Sequence, residues 1–232
     1  MIVSLIIPAF NEEKYIDQCL NSILLQTRIP DEIVICNNAS TDNTVKVASK
    51  YLKKLPLKIV TESQKGIAPA LQTAYLASTG DVLLRTDADT LLPKDWVKDV
   101  ISHFETDPKL DVCGGDVYAL GGNIFYKTMY FLSNYVGDLY SLPFHHCQYL
   151  FGANTAFRRQ VLKKINGYCR QGCPLPEDQM MCHKLSQHHF KIRRFTDCYN
   201  LTSIRRFKRN PKEVICAFLA IINPTFYREK SA

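Results

Sequence analysis

The chain has 232 residues, 46% of them apolar and 22% charged, with a net charge of +7. It is long enough to bury a full core in one domain or two fused lobes, and too apolar for a disordered chain. A membrane-spanning helix needs about 20 apolar residues, whereas the longest uninterrupted run, Val214 to Ile222, has nine. The opening residues lack a basic stretch and are broken by Ser4 and Pro8, so they do not read as a secretory signal.

In chain order, Val3–Ile7 is an apolar run closed by Pro8 and reads as a buried strand. Asn11 then caps a helix whose apolar positions Ile16, Cys19, Leu20, Ile23 and Leu24 follow a 3.6-residue period. Ile33–Cys36 is a second strand, and Ser40-Thr41-Asp42 opens a helix through Val45, Ala48 and Leu52. Leu57–Val60 is a third strand, followed by a helix near Pro69–Ser78. Val82–Thr86 is a fourth, and Pro93 starts a helix containing Trp96, Val97, Val100, Ile101 and Phe104. Strands alternating with helices of this length predict βαβ units and a mostly parallel sheet. Ligands of such sheets lie beyond the carboxyl ends of the strands, here the polar segments Pro8–Glu12, Asn37–Asp42, Glu62–Gly66 and Asp87–Asp89.

The second half is less regular. Residues 125–151 hold nine of the 25 aromatics, with Tyr126, Met129, Tyr130 and Ser133 at helical spacing; they are either core packing or an apolar face for a lipid-linked acceptor. Gln148–Phe157 reads as a strand leading into a helix around Arg159–Ile165, and Glu177–Gln187 as a helix after a loop rich in Gly and Pro. Residues 1–189 are neutral, with 19 basic and 19 acidic side chains. The excess sits in Phe190–Lys212, where eight basic residues face Asp197 alone. That run suggests a phosphate-bearing ligand or an anionic surface, against the plainer reading of a solvated face. No nucleic-acid-reading module accompanies it, so nucleic acid is not an expected partner. Nine scattered cysteines without a CxxC pair suggest buried thiols in a reducing cytoplasm. A zinc site from His145, His146, Cys147, Cys169 and Cys173 is the alternative.

Two carboxyl pairs carry candidate chemistry. Asp87 and Asp89 project the same way from an extended segment, and their repulsion calls for a cation. Mg²⁺ or Mn²⁺ fits, keeping positions open for substrate phosphates. Glu177-Asp178, at the start of a helix, supplies either a general base or an acidic first turn that complements the helix dipole.

Taken together, Ser4–Glu13, Glu32–Thr44, the segment Thr79–Thr90 with its Asp87-Ala88-Asp89, Gly152–Arg159 and Glu177-Asp178 resemble, in order, the motifs of the family 2 glycosyltransferases. The resemblance implies an α/β GT-A fold, a Rossmann-like, mostly parallel sheet flanked by helices with a fused acceptor-side lobe. Residues 1–112 would form the nucleotide-sugar half and 113–232 the acceptor half. It implies an inverting transfer of one sugar from a UDP- or GDP-sugar to a hydroxyl on a glycan or lipid-linked acceptor, in the cytoplasm at the inner membrane face. Contact with an anionic membrane is an added expectation. Pro8, Ala9, Glu12, Asn37, Gly66, Asp87, Ala88, Arg205 and Arg206 would bind the nucleotide-sugar, Asp89 and Asp87 the metal, and Asp178 would be the base. A catalytically inactive nucleotide-sugar-binding module is the alternative. A nucleotidyltransferase would want a glycine-rich loop after the first strand, which Pro8-Ala-Phe-Asn is not. Two departures stand out: Asn37 occupies the position of the family's usual aspartate, and the Gln-x-x-Arg-Trp motif of processive synthases is absent.

Overall fold

Strands whose residues are apolar on both faces need cover on both faces, and the computed structural model, which describes residues 1–145, 148–168 and 177–205, supplies it. Val3–Ala9 (β1), Glu32–Asn37 (β2), Leu57–Thr61 (β3) and Val82–Arg85 (β4) lie parallel in the order β3-β2-β1-β4. Side chains alternate across the sheet. Leu5, Ile7, Ile33, Ile35 and Leu84 join one core with the helices Ile16–Leu24 (α1) and Trp96–Thr106 (α4). Ile6, Val34, Cys36 and Leu83 join a second core with Ile67–Ala77 (α3) on the other face. Each fully buried Leu or Ile contributes about 1.5–3 kcal/mol, so the parallel half is secured from both sides. Between β2 and β3 runs a short helix, Thr44–Ala48 (α2), continued by a 3-10 turn at Ser49–Tyr51.

The sheet continues past β4 with strands of mixed direction. Thr155–Arg158 (β7) pairs antiparallel with β4 and with Val112–Leu120 (β6). Ile192–Ser203 (β8) runs parallel to β6, and the two-residue Thr90–Leu91 (β5) closes the edge against it, giving eight strands in one sheet among the described residues. The helices Arg159–Lys164 (α6) and Glu177–Ser186 (α7) follow, and Ile124–His145 (α5) is attached to β6 through Asn134. Its side chain accepts from Val117 N–H at 3.1 Å and donates to Val117 O at 3.1 Å.

Several sequence expectations need correcting. Asn11 caps no helix: it sits at φ +55, its Oδ1 takes the Thr41 N–H at 2.8 Å, and α1 begins five residues later. Gln148–Phe157 is not one strand, because Gly152–Asn154 forms a 3-10 turn that leaves only Thr155–Arg158 paired in the sheet. The described part of the basic run is mostly a sheet strand, in which Arg193 is exposed as the solvated-face reading expects while the other charges are paired. Lys191 pairs with Asp107, Arg194 with Asp116 and Asp138, and Arg205 with Glu12 and Asp89. Arg206, Lys208, Arg209 and Lys212, the apolar segment Val214–Ile222, and His146, Cys147, Cys169 and Cys173 lie outside the described residues. Cys19, Cys36, Cys113, Cys182 and Cys198 are buried, as expected. Among the described residues, no helix is long and apolar enough to cross a membrane.

Candidate functional site

The carboxyl ends of β1, β2 and β4 converge, as the parallel topology demands. Pro8 and Ala9 pair with Cys36 and Asn37 at the last rungs of β1 and β2. The Asn37 carboxamide closes a turn by accepting the Ser40 N–H at 3.2 Å, which is the turn role that an asparagine favours. Asn38 is buried beside it, donating to Glu62 O and Gln64 O and accepting the Gly66 N–H at 2.8 Å. Gly66 there adopts φ +135, a conformation that side-chain-bearing residues avoid, and starts α3.

The segment after β4 turns sharply: Thr90 N–H returns to Asp87 O at 3.1 Å, and Ala88 is buried in the core. Neighbours clamp the turn on two sides. The Cys19 thiol of α1 donates to Asp87 O at 3.6 Å, and Ser203 N–H of β8 donates to Asp89 O at 3.2 Å. The end of β8 thereby delivers Arg205, whose Nε lies 3.2 Å from Asp89 Oδ2 and whose Nη2 bonds Glu12 Oε1. The guanidinium lies over the Tyr15 ring at 4.5 Å. Glu12 is itself fixed by its backbone N–H, which donates to Thr44 Oγ1 at 2.7 Å.

A second group of charges adjoins the first. Arg85, at the last position of β4, places Nη1 2.5 Å from Glu177 Oε2 and 3.8 Å from Asp178 Oδ1, and Nη2 3.8 Å from Asp87 Oδ1. Gly152 is pressed against this group. A Cβ there would lie 2.2 Å from Arg85 Nη2 and 2.3 Å from Asp178 Oδ1, so no larger residue fits without moving one of them.

Burial and like charge shift the acids in one direction. Burial pushes Glu12 up to about 7 against the pull of Arg205, and pushes Asp87 up to about 6 with Asp89 adding to the rise. Asp89 is raised by burial, tempered by Arg205. Asp178 rises to about 8 through burial and the Glu177 charge, opposed by Arg85 and the Gly152 N–H; its side chain keeps 30% exposure, enough to meet a ligand. Arg85 is held firmly protonated, because Glu177, Asp87 and Asp178 outweigh the burial that opposes its charge.

A divalent cation suits the first group. Among the described residues, Glu12 Oε2 and Asp87 Oδ1 are buried carboxylate oxygens without a hydrogen-bond partner, and hard cations take such oxygen ligands. Glu12, Asp87, Asp89, Asp178 and Arg205 are thus brought together. Pro8, Ala9, Asn37, Gly66 and Ala88 lie along the adjoining strand ends, and Arg206 lies outside the described residues. Arg85 and Tyr15 join the site without a mark in the sequence motifs. A lone charge closing the apolar strand Val82–Leu84 was the available signal for Arg85, while nothing local marked Tyr15.

The glycosyl transferase family 2 model matches residues 4–166. Chondroitin synthase of Escherichia coli is 32% identical over 141 residues, 60% of this chain and 20% of that protein. Staphylococcus aureus TarS residues 1–349, solved in complex with UDP-GlcNAc, superposes with a TM-score of 0.69 at 24% identity, over 88% of this chain and 58% of that one. The mannosyltransferase PcManGT of Pyrobaculum calidifontis, solved with GDP-Man and Mn²⁺, gives 0.65 at 24% identity, over 87% and 56%. The chain therefore spans a fifth of the length of that synthase and under two thirds of the two solved chains. With a family match across most of its length and this sheet topology, the chain belongs to glycosyl transferase family 2 and has the GT-A fold.

Proposed function

We propose that the protein transfers one hexose from a UDP- or GDP-sugar to a hydroxyl of a glycan or lipid-linked acceptor, with inversion at the anomeric carbon and with Mg²⁺ or Mn²⁺ as cofactor. The observation that carries this reading is the paired arrangement of charges: Glu12, Asp87 and Asp89 around orphaned oxygens, and Asp178 joined to them through Arg85. Residues 1–112 are the donor half, in which Pro8, Ala9, Asn37, Gly66 and Ala88 line the nucleotide, and 113–232 are the acceptor half. Asp89, with Asp87, would hold the ion, which when bound offsets the charge gathering on the departing diphosphate. Asp178 takes the proton of the acceptor hydroxyl as its oxygen attacks the anomeric carbon and the bond to the diphosphate breaks. Inversion requires only this one base, because attack comes from the face opposite the leaving group. Arg205 leaves Asp89 for the diphosphate, with Arg206 beside it in sequence, and adds fixed positive charge where negative charge develops. The neighbours solved with UDP-GlcNAc or with GDP-Man and Mn²⁺ support a nucleotide-sugar donor and a divalent ion.

A lipid-linked acceptor at the inner membrane face is supported by α5. Its Tyr126, Met129, Tyr130 and Ser133 are half-buried, while Ile124, Phe131, Tyr135, Leu139 and Leu142 form an exposed apolar line at helical spacing. The end of β8 adjoins this helix, where Tyr130 Oη meets Ser203 O at 3.5 Å, and the basic run continues from there in sequence.

A thermal-shift screen of UDP- and GDP-sugars with and without Mn²⁺ tests the donor reading, since a ligand that binds only the folded state stabilises it in proportion to log concentration. One donor should raise the melting temperature in a Mn²⁺-dependent way. No shift with any nucleotide-sugar would contradict the proposal.

A further inference from the structure

A charged residue has no stabilising reason to stand where Arg85 stands. It completes a strand whose other members, Val82, Leu83 and Leu84, are all fully buried, and its own side chain is only 3% exposed. Replacing a buried ion pair by apolar residues of similar volume is often neutral or stabilising, so Arg85 and Glu177 call for another explanation. Their geometry supplies one. A single guanidinium, donating to Glu177, faces the side chain of Asp178 across one fork and that of Asp87 across the other. The Gly152 backbone closes the slot behind both Arg85 and Asp178, leaving no room for even a methyl group.

We infer that Arg85 is a positioning residue: by gripping Glu177 and sharing the Gly152 slot with Asp178, it fixes the Asp178 carboxylate toward the acceptor side and ties it to the Asp87 turn. The inference rests on the proposal that Asp178 is the base. Arg85 itself touches no substrate and acts through Asp178. Loss of its grip leaves the donor bound and the base misaimed, and misplacement by about 1 Å costs on the order of 100-fold in rate.

Release of nucleoside diphosphate from the donor chosen by the thermal-shift screen, with water as acceptor, reads the rate without a known natural acceptor. Binding of UDP or GDP with Mn²⁺, by calorimetry, reads the donor side. Arg85→Leu/Glu177→Leu removes both charges together and should fold. Its kcat should fall by about 100-fold with the nucleotide Kd within about threefold, while Arg85→Lys, which keeps the charge and loses the fork, should fall by only about tenfold. Asp178→Asn alone should cut turnover by about 1000-fold, to a residual rate that is still measurable, and adding the Leu pair to it should cost nothing more. A folded Leu pair with kcat within about threefold of wild type would overturn the inference, as would a further large loss in the combined variant. Should the Leu pair fail to fold, full kcat in Arg85→Lys would overturn it. A wild-type rate in Asp178→Asn would instead refute the base assignment beneath it.

Discussion

Removing Arg205 should tighten metal binding while slowing the reaction. In the free protein its guanidinium holds Asp89 at 3.2 Å and also holds Glu12, so a cation arriving at Asp89 must displace it. Two unit charges at that separation attract by about 5 kcal/mol at an effective dielectric constant of about 20. Arg205 is one-third exposed, so solvent and the cost of fixing its long side chain reduce the net value to roughly 1–2 kcal/mol. Arg205→Leu should therefore bind Mn²⁺ about five- to thirtyfold more tightly in the absence of nucleotide. Turnover should drop by about 100-fold, because the departing diphosphate loses a fixed donor. Calorimetric Mn²⁺ titration at pH 8, where competition from protons on the acids is small, measures the first effect; steady-state release of nucleoside diphosphate measures the second. Weaker Mn²⁺ binding in the variant would refute the reasoning, since Arg205 would then help to build the ion site instead of guarding it.

Two further outcomes follow from the same geometry. Asp178, raised from 3.8 to about 8, must lose its proton to act as a base, so kcat/KM should climb about tenfold per pH unit below pH 8 and level off above it. The folded protein holds this proton more tightly than the unfolded chain, so the stability Asp178 contributes is full below the ordinary carboxylate pKa and is lost as pH rises through about 8. A rate independent of pH between 6 and 8 would contradict the assignment. Asn154→Ala strands the Trp96 indole N–H, which Asn154 accepts at 3.0 Å, and the carbonyls of Asp116 and Cys198, to which it donates at 2.8 and 2.6 Å. Denaturant unfolding should show a loss of about 3 kcal/mol; under about 1 kcal/mol would mean that these groups find other partners.

What was legible in the sequence follows from what is local. Each strand of the parallel half is a short apolar run ended by polar residues, so β1 to β4 and the carboxylates beyond them could be read position by position. β6 and β8 could not. In β8 the run Ile192-Arg-Arg-Phe-Thr-Asp-Cys198 breaks the two-residue alternation, because the strand bulges where four of its residues, 196–199, face the single Asp116. Arg194 is a sheet residue only because Asp116 and Asp138, far away in sequence, neutralise it, and no local pattern announces such partners. The basic run accordingly read as a surface. The basic run puts Arg205 near the nucleotide site, but its grip on Glu12 and Asp89 depends on where β8 ends in space. Arg85 is the counterpart: a residue in plain view at the end of an apolar strand, whose meaning appears only once Glu177, Asp178 and Gly152 fold over it.

The proposed mechanism needs a divalent ion at Asp89 and Asp178 on the opposite, acceptor side. Anomalous diffraction from crystals grown with Mn²⁺ and UDP or GDP locates the ion directly. The expected result is a peak about 2.1 Å from an Asp89 carboxylate oxygen, touching the diphosphate, with Arg205 released from Asp89. A peak elsewhere, with Arg205 still seated on Asp89 and Glu12, would contradict it.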